Sequence, residues 1–398
     1  MPGTPLAQPR IMAEPAPPGG HPRHDLRGHV ALALLHARLR PGTAGRIART
    51  HSRPTEILGQ GALALETIRP LSSTESDALA TFADWGRVDD EIARVSEHGA
   101  WLLALGDPRY PERLAAIADP PPLLYVRGSI EDGDRLALAI VGSRHASRYG
   151  LTAARGFGKH LARAGLTIVS GLAHGIDQAA HEGALEAEGR TLAILGCGLD
   201  VDYPRQGRAL RDRIAAHGAL VSEFPLGTAP LKQNFPVRNR IVSALSLGVV
   251  VIEAARQSGS LITARAALDQ GREVFALPGP VDQPSHAGTL DLLRQGARAV
   301  GAPTHVLEDL GLDAEPVAQP PAPLSEGQLG PRRLSTRETA ARQVLAAIAL
   351  TPVTFDSLLA RTALEPTALA AVLLDLELDG LVERANDGTY VAHDPFGR

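Results

Sequence analysis

Residues 136–150, LALAIVGSRHASRYG, and residues 166–185, LTIVSGLAHGIDQAAHEGAL, carry the same plan twice. Each begins as an unbroken apolar, β-branched run. Each then breaks at small residues, Gly142-Ser143-Arg144 in the first and Ser170-Gly171 in the second, and resumes with helical spacing. An unbroken apolar run is what a strand buried on both faces requires, the habit of parallel sheets flanked by helices. Where such a strand hands over to a helix, first-turn N–H groups lack intrahelical partners and the helix dipole adds partial positive charge. Loops of this kind can hold phosphate, so the stretch predicts both a fold and an anion site.

Working outward, strands are expected near Leu138, Ile168, Leu192, Leu220, Val250 and Val274, with helical segments between them up to Gly301. Regular alternation of this kind predicts an α/β fold: a doubly wound parallel sheet with its ligand crevice at the carboxyl ends of the strands. That register collects Gly142 to Arg144, Ser170 to Gly175, Gly196 to Gly198, Ser222-Glu223, Glu253 to Ser260 and Pro278-Gly279 on one edge. Trp101 to Leu105 and Leu123 to Val126 read as two further strands that extend the sheet, with Pro120 to Pro122 enforcing extended backbone before the second.

The flanks differ in composition. Residues 1–25 are proline-rich without a continuous apolar core, which reads as a disordered leader and not a signal peptide. Residues 26–97 show short helical patterns, a small helical domain suited to packing or to a helix-hairpin-helix contact with DNA. The α/β region spans 98–312, and a Pro/Ala/Gly-rich linker covers 313–335. From 336 to 398 the pattern is helix, short helix, turn, longer helix and hairpin, a winged helix-turn-helix. Its recognition helix carries Asp375, Glu377 and Asp379, which phosphates repel, so protein contact is the expectation there.

With a net charge of -4 over 398 residues, the chain has no global basic field, and any anion site must be local. A single cysteine, Cys197, rules out an internal disulfide and suits a reducing cytoplasm. The longest apolar run, Leu245 to Ile252, is too short to span a bilayer, so no membrane association is expected.

No strand is followed by G-x-G-x-x-G, and Gly158-Lys159 continues into His160 where a Walker loop needs Ser or Thr, so no nucleotide cofactor is expected. Ser258-Gly259-Ser260 reads either as a plain helix cap or as a phosphate seat with two hydroxyls. The segment Lys232-Gln233-Asn234-Phe235-Pro236-Val237-Arg238-Asn239-Arg240 offers an aromatic ring, cations and amides together. An unpaired polynucleotide needs that combination, charge for its backbone and a ring for its bases. The competing reading puts Phe235 in the core and pairs Arg238 or Arg240 with Glu223 or Glu253. His174, Asp177 and His181 have the spacing of one helical face; a metal triad is one reading, loop bracing by Asp177 and sheet packing by His181 the other. The expectation is no metal and no catalytic residue.

AIVGSRHASRYG, TIVSGLAHGIDQAAHEGAL, LGCGLDVDYP, SEFPLG, NFPVRNRIVSALS, VVVIEAARQSGSLITARAALDQGREVFALPG and GTLDLLRQGA follow one another in order between Trp101 and Val306. Together they resemble the DNA-processing protein A (DprA, or Smf) family. The resemblance implies an extended Rossmann-like domain that binds single-stranded DNA without hydrolysing it, flanked by a SAM-like helical domain and a winged helix. It further implies protection of incoming strands during natural transformation, loading of the RecA recombinase, and homodimerisation through the Rossmann domain. By motif position, Arg144, Lys232 and Phe235 would contact DNA, with Ser143, Gly171, His174, Arg238, Asn239, Arg240, Gly259 and Ser260 around the same groove.

Two other functions stay open on sequence. A nucleotide phosphoribohydrolase of the cytokinin-activating type shares the scaffold, but its P-G-G-x-G-T-x-x-E fingerprint is absent, Leu277-Pro278-Gly279-Pro280-Val281 standing in its place. A winged-helix transcription regulator with a sensing Rossmann domain would instead bind duplex DNA through residues 337–393.

Overall fold

The computed structural model describes residues 25–60, 70–204, 207–312, 336–348, 352–362, 364–378, 382–385 and 388–392. The leader before residue 25 and the linker 313–335 lie outside them.

Four helices come first: α1 (Leu26–Leu34), α2 (Thr43–Thr50), α3 (Ser73–Ala80) and α4 (Trp85–Glu97). Ser72 and Glu75 form a capping box that starts α3, each side chain taking the other's backbone N–H. Buried Glu75 also accepts from Arg40 and Thr43, tying α3 to the α1–α2 corner. Burial alone would raise its pKa, but the hydrogen bonds from Arg40, Ser72 and Thr43 outweigh that and hold the carboxyl far below its usual range. The helical layer is no free-standing unit. Leu32, Leu79 and Val95 belong to the same buried cluster as Leu103, Leu123 and Tyr125 of the sheet.

The sheet has nine strands in the order β1-β2-β6-β5-β4-β3-β7-β8-β9. In chain order they are β1 (Trp101–Ala104), β2 (Leu123–Gly128), β3 (Ala137–Val141), β4 (Thr167–Ser170), β5 (Thr191–Leu195), β6 (Gly218–Ser222), β7 (Gly248–Val251), β8 (Glu273–Ala276) and β9 (Arg298–Ala299). Strands β3 to β9 pair in parallel, while β1 and β2 add on antiparallel beside β6. All six expected parallel strands form, and the two earlier ones extend the sheet as their sequence predicts. At the far border β9 is only two residues long and exposed, and Arg298 is held there by Glu273 and Asp309.

Helices cover both faces: α5 (Glu112–Ala115), α6 (Arg148–Arg163), α7 (Ile176–Glu186), α8 (Arg208–His217), α9 (Asn234–Ala244), α10 (Ser260–Asp269), α11 (Ala287–Arg294) and α12 (Pro303–Asp309). Because side chains alternate along a strand, Leu138 and Ile140 join Phe157, Leu161 and Ala180 of α6 and α7 in one core, while Ala137 and Ala139 face the other. Helix α6 shows how the sequence writes such an element. Ser147 caps it, its Oγ accepting from the Gly150 N–H at 3.0 Å; Ala153, Ala154, Phe157 and Leu161 repeat at helical spacing on the buried side; Gly165 in the left-handed region follows its end. Phe157 is fully buried, and truncating it to alanine would cost about 3–5 kcal/mol.

The C-terminal region contains α13 (Thr336–Ile348), α14 (Phe355–Thr362) and α15 (Pro366–Leu378) with a sheet of β10 (Val353–Thr354), β12 (Thr389–Ala392) and β11 (Val382–Arg384). Beyond the expected hairpin, β10 adds a third strand to the wing. Val344, Leu358, Leu369 and Leu373 form its core. Asp375 and Glu377 lie on α15, whereas Asp379 is outside the described residues. Among the described residues no single helix is long and apolar enough to cross a membrane.

Candidate nucleic-acid interface

Parallel pairing from β3 to β8 puts the loops after these strands on one edge, and β3 lies between β4 and β7, where the chain's winding changes direction. Such a switch point opens a crevice. The Ser143 N–H bridges it at 2.7 Å to the carbonyl of Glu253, which follows β7. The Glu253 side chain, fully buried, takes the Ser147 N–H and, at 2.6 Å, the Ser147 hydroxyl. Glu253 therefore holds the start of α6 and the loop carrying Ser143 and Arg144. It pairs with no arginine among the described residues; its buried neighbour is His286, at 3.9 Å.

Two adjoining cavities of about 440 and 530 Å³ occupy this edge. Arg144, Gly171 and Phe235 line both, so the cavities form one trough divided by a ridge. On that ridge the Arg144 guanidinium lies 5.1 Å from the centroid of the half-buried Phe235 ring, and the Tyr203 ring packs tilted against the Phe235 ring with centroids 5.5 Å apart. Among the described residues, exposed Arg144 and Lys232 have no ion-pair partner, so both charges face solvent in the trough. His174 is exposed in the smaller chamber. Ser143, Asn239, Gly259 and Ser260 line the larger one.

Helix rotation explains what α9 contributes. Phe235 and Asn239, four apart, share the side toward the trough, and the Asn239 amide reaches the Gly259 carbonyl at 3.3 Å. Pro236 sits in the first turn, where a missing N–H is harmless. Arg238 lines the floor of the larger chamber. It is 3% exposed and donates to the carbonyls of Gly171, at 2.7 Å, and Ile194, bracing the ends of β4 and β5. Burial pulls its pKa down to about 10 despite the favourable charge of Asp177. Arg240 turns away altogether, clamped by Glu223 at 2.6 Å and Asp119 at 2.8 Å. The expectation that Arg240 offers charge to the groove is thus corrected, since it pairs with Glu223, the acid named as the alternative; Arg238 does line the groove, with its guanidinium engaged by two carbonyls.

The amides also need correction. Gly171 and Ala173 donate to Asp177, and Ser143 to Glu253, so these N–H groups are already engaged. Gly171 itself answers a local crowding, since a Cβ there would lie 2.5 Å from the Arg238 guanidinium. Gly259 is the opposite case. Its φ is ordinary and an added Cβ would meet nothing within 4 Å, so the fold does not demand glycine where the trough is open. Gly259 at the N-cap of α10 has no side chain to cap it; Ser258 and Ser260 bond each other at 2.7 Å, and the Ser258 hydroxyl accepts the Ser260 N–H at 3.4 Å. Leu172, buried with φ 57, is strained backbone beside the trough that no sequence signal announced.

The metal reading fails on geometry. Helix α7 begins at Ile176, leaving His174 in the loop; His181 is buried with its Nδ1 at 2.6 Å from the Thr191 hydroxyl. Among the described residues no His, Cys, Asp or Glu group of three could hold a metal ion. Cys197 is buried, and burial pushes its thiol up, away from nucleophilic use. The sequence motifs contain Tyr203 without marking it, and they offer Glu253 as an arginine's partner where the structure makes it the strut of Ser147.

Fold and rim define a Rossmann-like α/β protein without a dinucleotide fingerprint, joined to a winged helix. Residues 101–311 match the family described as DNA recombination-mediator protein A, and residues 316–388 match the DprA winged helix domain. The chain is 38% identical over 311 residues to protein Smf of Synechocystis, covering 71% of this chain and 78% of that protein. It is 46% identical over 224 residues to protein Smf of Escherichia coli, 56% of this chain but only 60% of that one. The X-ray structure of DNA processing protein A from Streptococcus pneumoniae superposes with a TM-score of 0.59 at 32% identity, over 71% of this chain and 94% of that one. The chain belongs to the DprA/Smf family of DNA processing proteins.

Proposed function

We propose that the trough binds single-stranded DNA, without covalent chemistry, as part of a recombination mediator that protects incoming strands and hands them to a RecA-type recombinase. Family membership supports the DNA-processing role, and the ridge of Arg144 over Phe235 with unpaired Lys232 nearby carries the reading. Arg144 and Lys232 would take phosphates, and the two chambers would receive successive bases on either side of the Phe235 ring. Homodimerisation through the Rossmann domain would set two troughs in one assembly. The acidic α15, with exposed Leu374 beside Asp375, favours protein contact for the winged helix.

Fluorescence anisotropy with labelled oligo-dT and with duplex of equal length tests this directly. Tighter binding to the single strand, weakening with salt, is the expected result; equal affinity for duplex, or release of free base from a nucleoside monophosphate, overturns it. RecA-filament formation on coated single strands, with and without the protein, tests the loading role.

A further inference from the structure

A third cavity, of about 640 Å³, opens between the β1–β2 connection and the start of β3 and shares no lining residue with the trough. Its floor is apolar, made by Leu124, Leu192, Val221 and Leu245, while Tyr110 lines one wall. Arg113 and Arg272 both face it. Its size is in the range of small-molecule sites.

The charged side chains around it are equal in number by sign, but they are not all paired with one another. Glu131 and Asp134 are held by Arg190, Asp132 holds Arg135, and Asp107 holds Arg109. Arg113 and Arg272 have no ion pair among the described residues. Arg113 is fixed by donating to the Arg135 carbonyl. The Arg272 Nε is buried and has no hydrogen-bond partner among the described residues. Glu112, exposed at the mouth, is the one lining carboxylate left without an ion pair among the described residues. Burial and then the Arg113 charge lower the Arg272 pKa.

We propose that this cavity is a second anion site, taking a phosphorylated small molecule with a flat apolar body, of nucleoside monophosphate size. The phosphate would bridge Arg113 and Arg272, as guanidinium forks do, and the base would lie on the apolar floor beside Tyr110.

The test is isothermal titration calorimetry of AMP, adenosine and inorganic phosphate into the full chain carrying Arg144→Glu and Lys232→Glu, so that the trough reading has no bearing on the outcome. AMP should bind, with adenosine and phosphate each at least tenfold weaker. Adding Arg113→Gln and Arg272→Gln should weaken AMP at least tenfold, and Glu112→Gln should tighten it. Because Arg113 also braces a loop, Ala116→Trp at the exposed mouth provides a second test, blocking entry with both arginines in place. The proposal fails if AMP gives no heat at millimolar concentration, if adenosine binds equally well, or if the Trp variant binds AMP as its parent does.

Discussion

The guanidinium of Arg144 stands 5.1 Å from the centroid of the Phe235 ring, so that a charge with no ion pair among the described residues meets an aromatic surface on the carboxyl edge. Cation and ring hold each other in position before any ligand arrives. Truncating Phe235→Ala removes a stacking surface worth about 1–3 kcal/mol per base, so affinity for oligo-dT should fall by about fivefold or more. Arg144→Glu and Lys232→Glu should weaken it further, and Lys232→Ala should lower the slope of log affinity against log salt by about 0.7. Anisotropy titrations across a salt series read both; folded variants with wild-type affinity would remove the trough from consideration.

Arg238 should behave differently from its neighbours. Its guanidinium braces the carbonyls of Gly171 and Ile194, so Arg238→Met leaves those acceptors unpartnered and should cost about 2–4 kcal/mol of stability. Urea denaturation checks this. A stable Arg238→Met protein with a large binding defect would mean that the residue meets DNA directly.

For Glu253 the prediction concerns position. Glu253→Ala frees the Ser147 end of α6 and with it the Arg144 loop, so binding should drop several-fold. Glu253→Gln keeps one acceptor and should recover much of the loss. Equal defects in both would argue for the charge itself, and no defect in either would dismiss the strut.

His181 sets a pH dependence. Burial, and then the Arg238 charge, lower its pKa to about 3 in the folded protein, whereas an unfolded chain titrates near 6.5. Between those values the unfolded state binds the extra proton, so stability is complete above about pH 6.5 and declines as pH falls, by up to about 1.4 kcal/mol per unit. His181→Gln should flatten that slope in denaturation measured from pH 7 to 5. An unchanged slope would show that other groups dominate.

How much of this was readable beforehand differs between sheet and helix. The unbroken runs ALAIV, LTIV and TLAIL left few alternatives to buried parallel strands, and with the strands came the edge on which the loops gather. Residues 234–240 were harder, because a cluster of cations reads as one patch until the helix phase is known. A turn of about 100° per residue sends Phe235 to the trough, Arg238 to its floor and Arg240 to Glu223. His174 misled for a related reason: its spacing to Asp177 suggested a common helix, but Gly175, at φ 83, ends the loop and the helix starts only afterwards. Glu253 was visible at a strand end as a partner for an arginine, yet nothing local pointed to Ser147, more than a hundred positions earlier in the chain.

The two-residue β9, with Arg298 fastened between two carboxylates, closes the sheet's last border with charge and brevity. A border so short gives a neighbouring backbone almost no ladder to anneal to. Copies crowded along a shared polymer would therefore meet through their helices and loops, and density on the strand need not become a fibre.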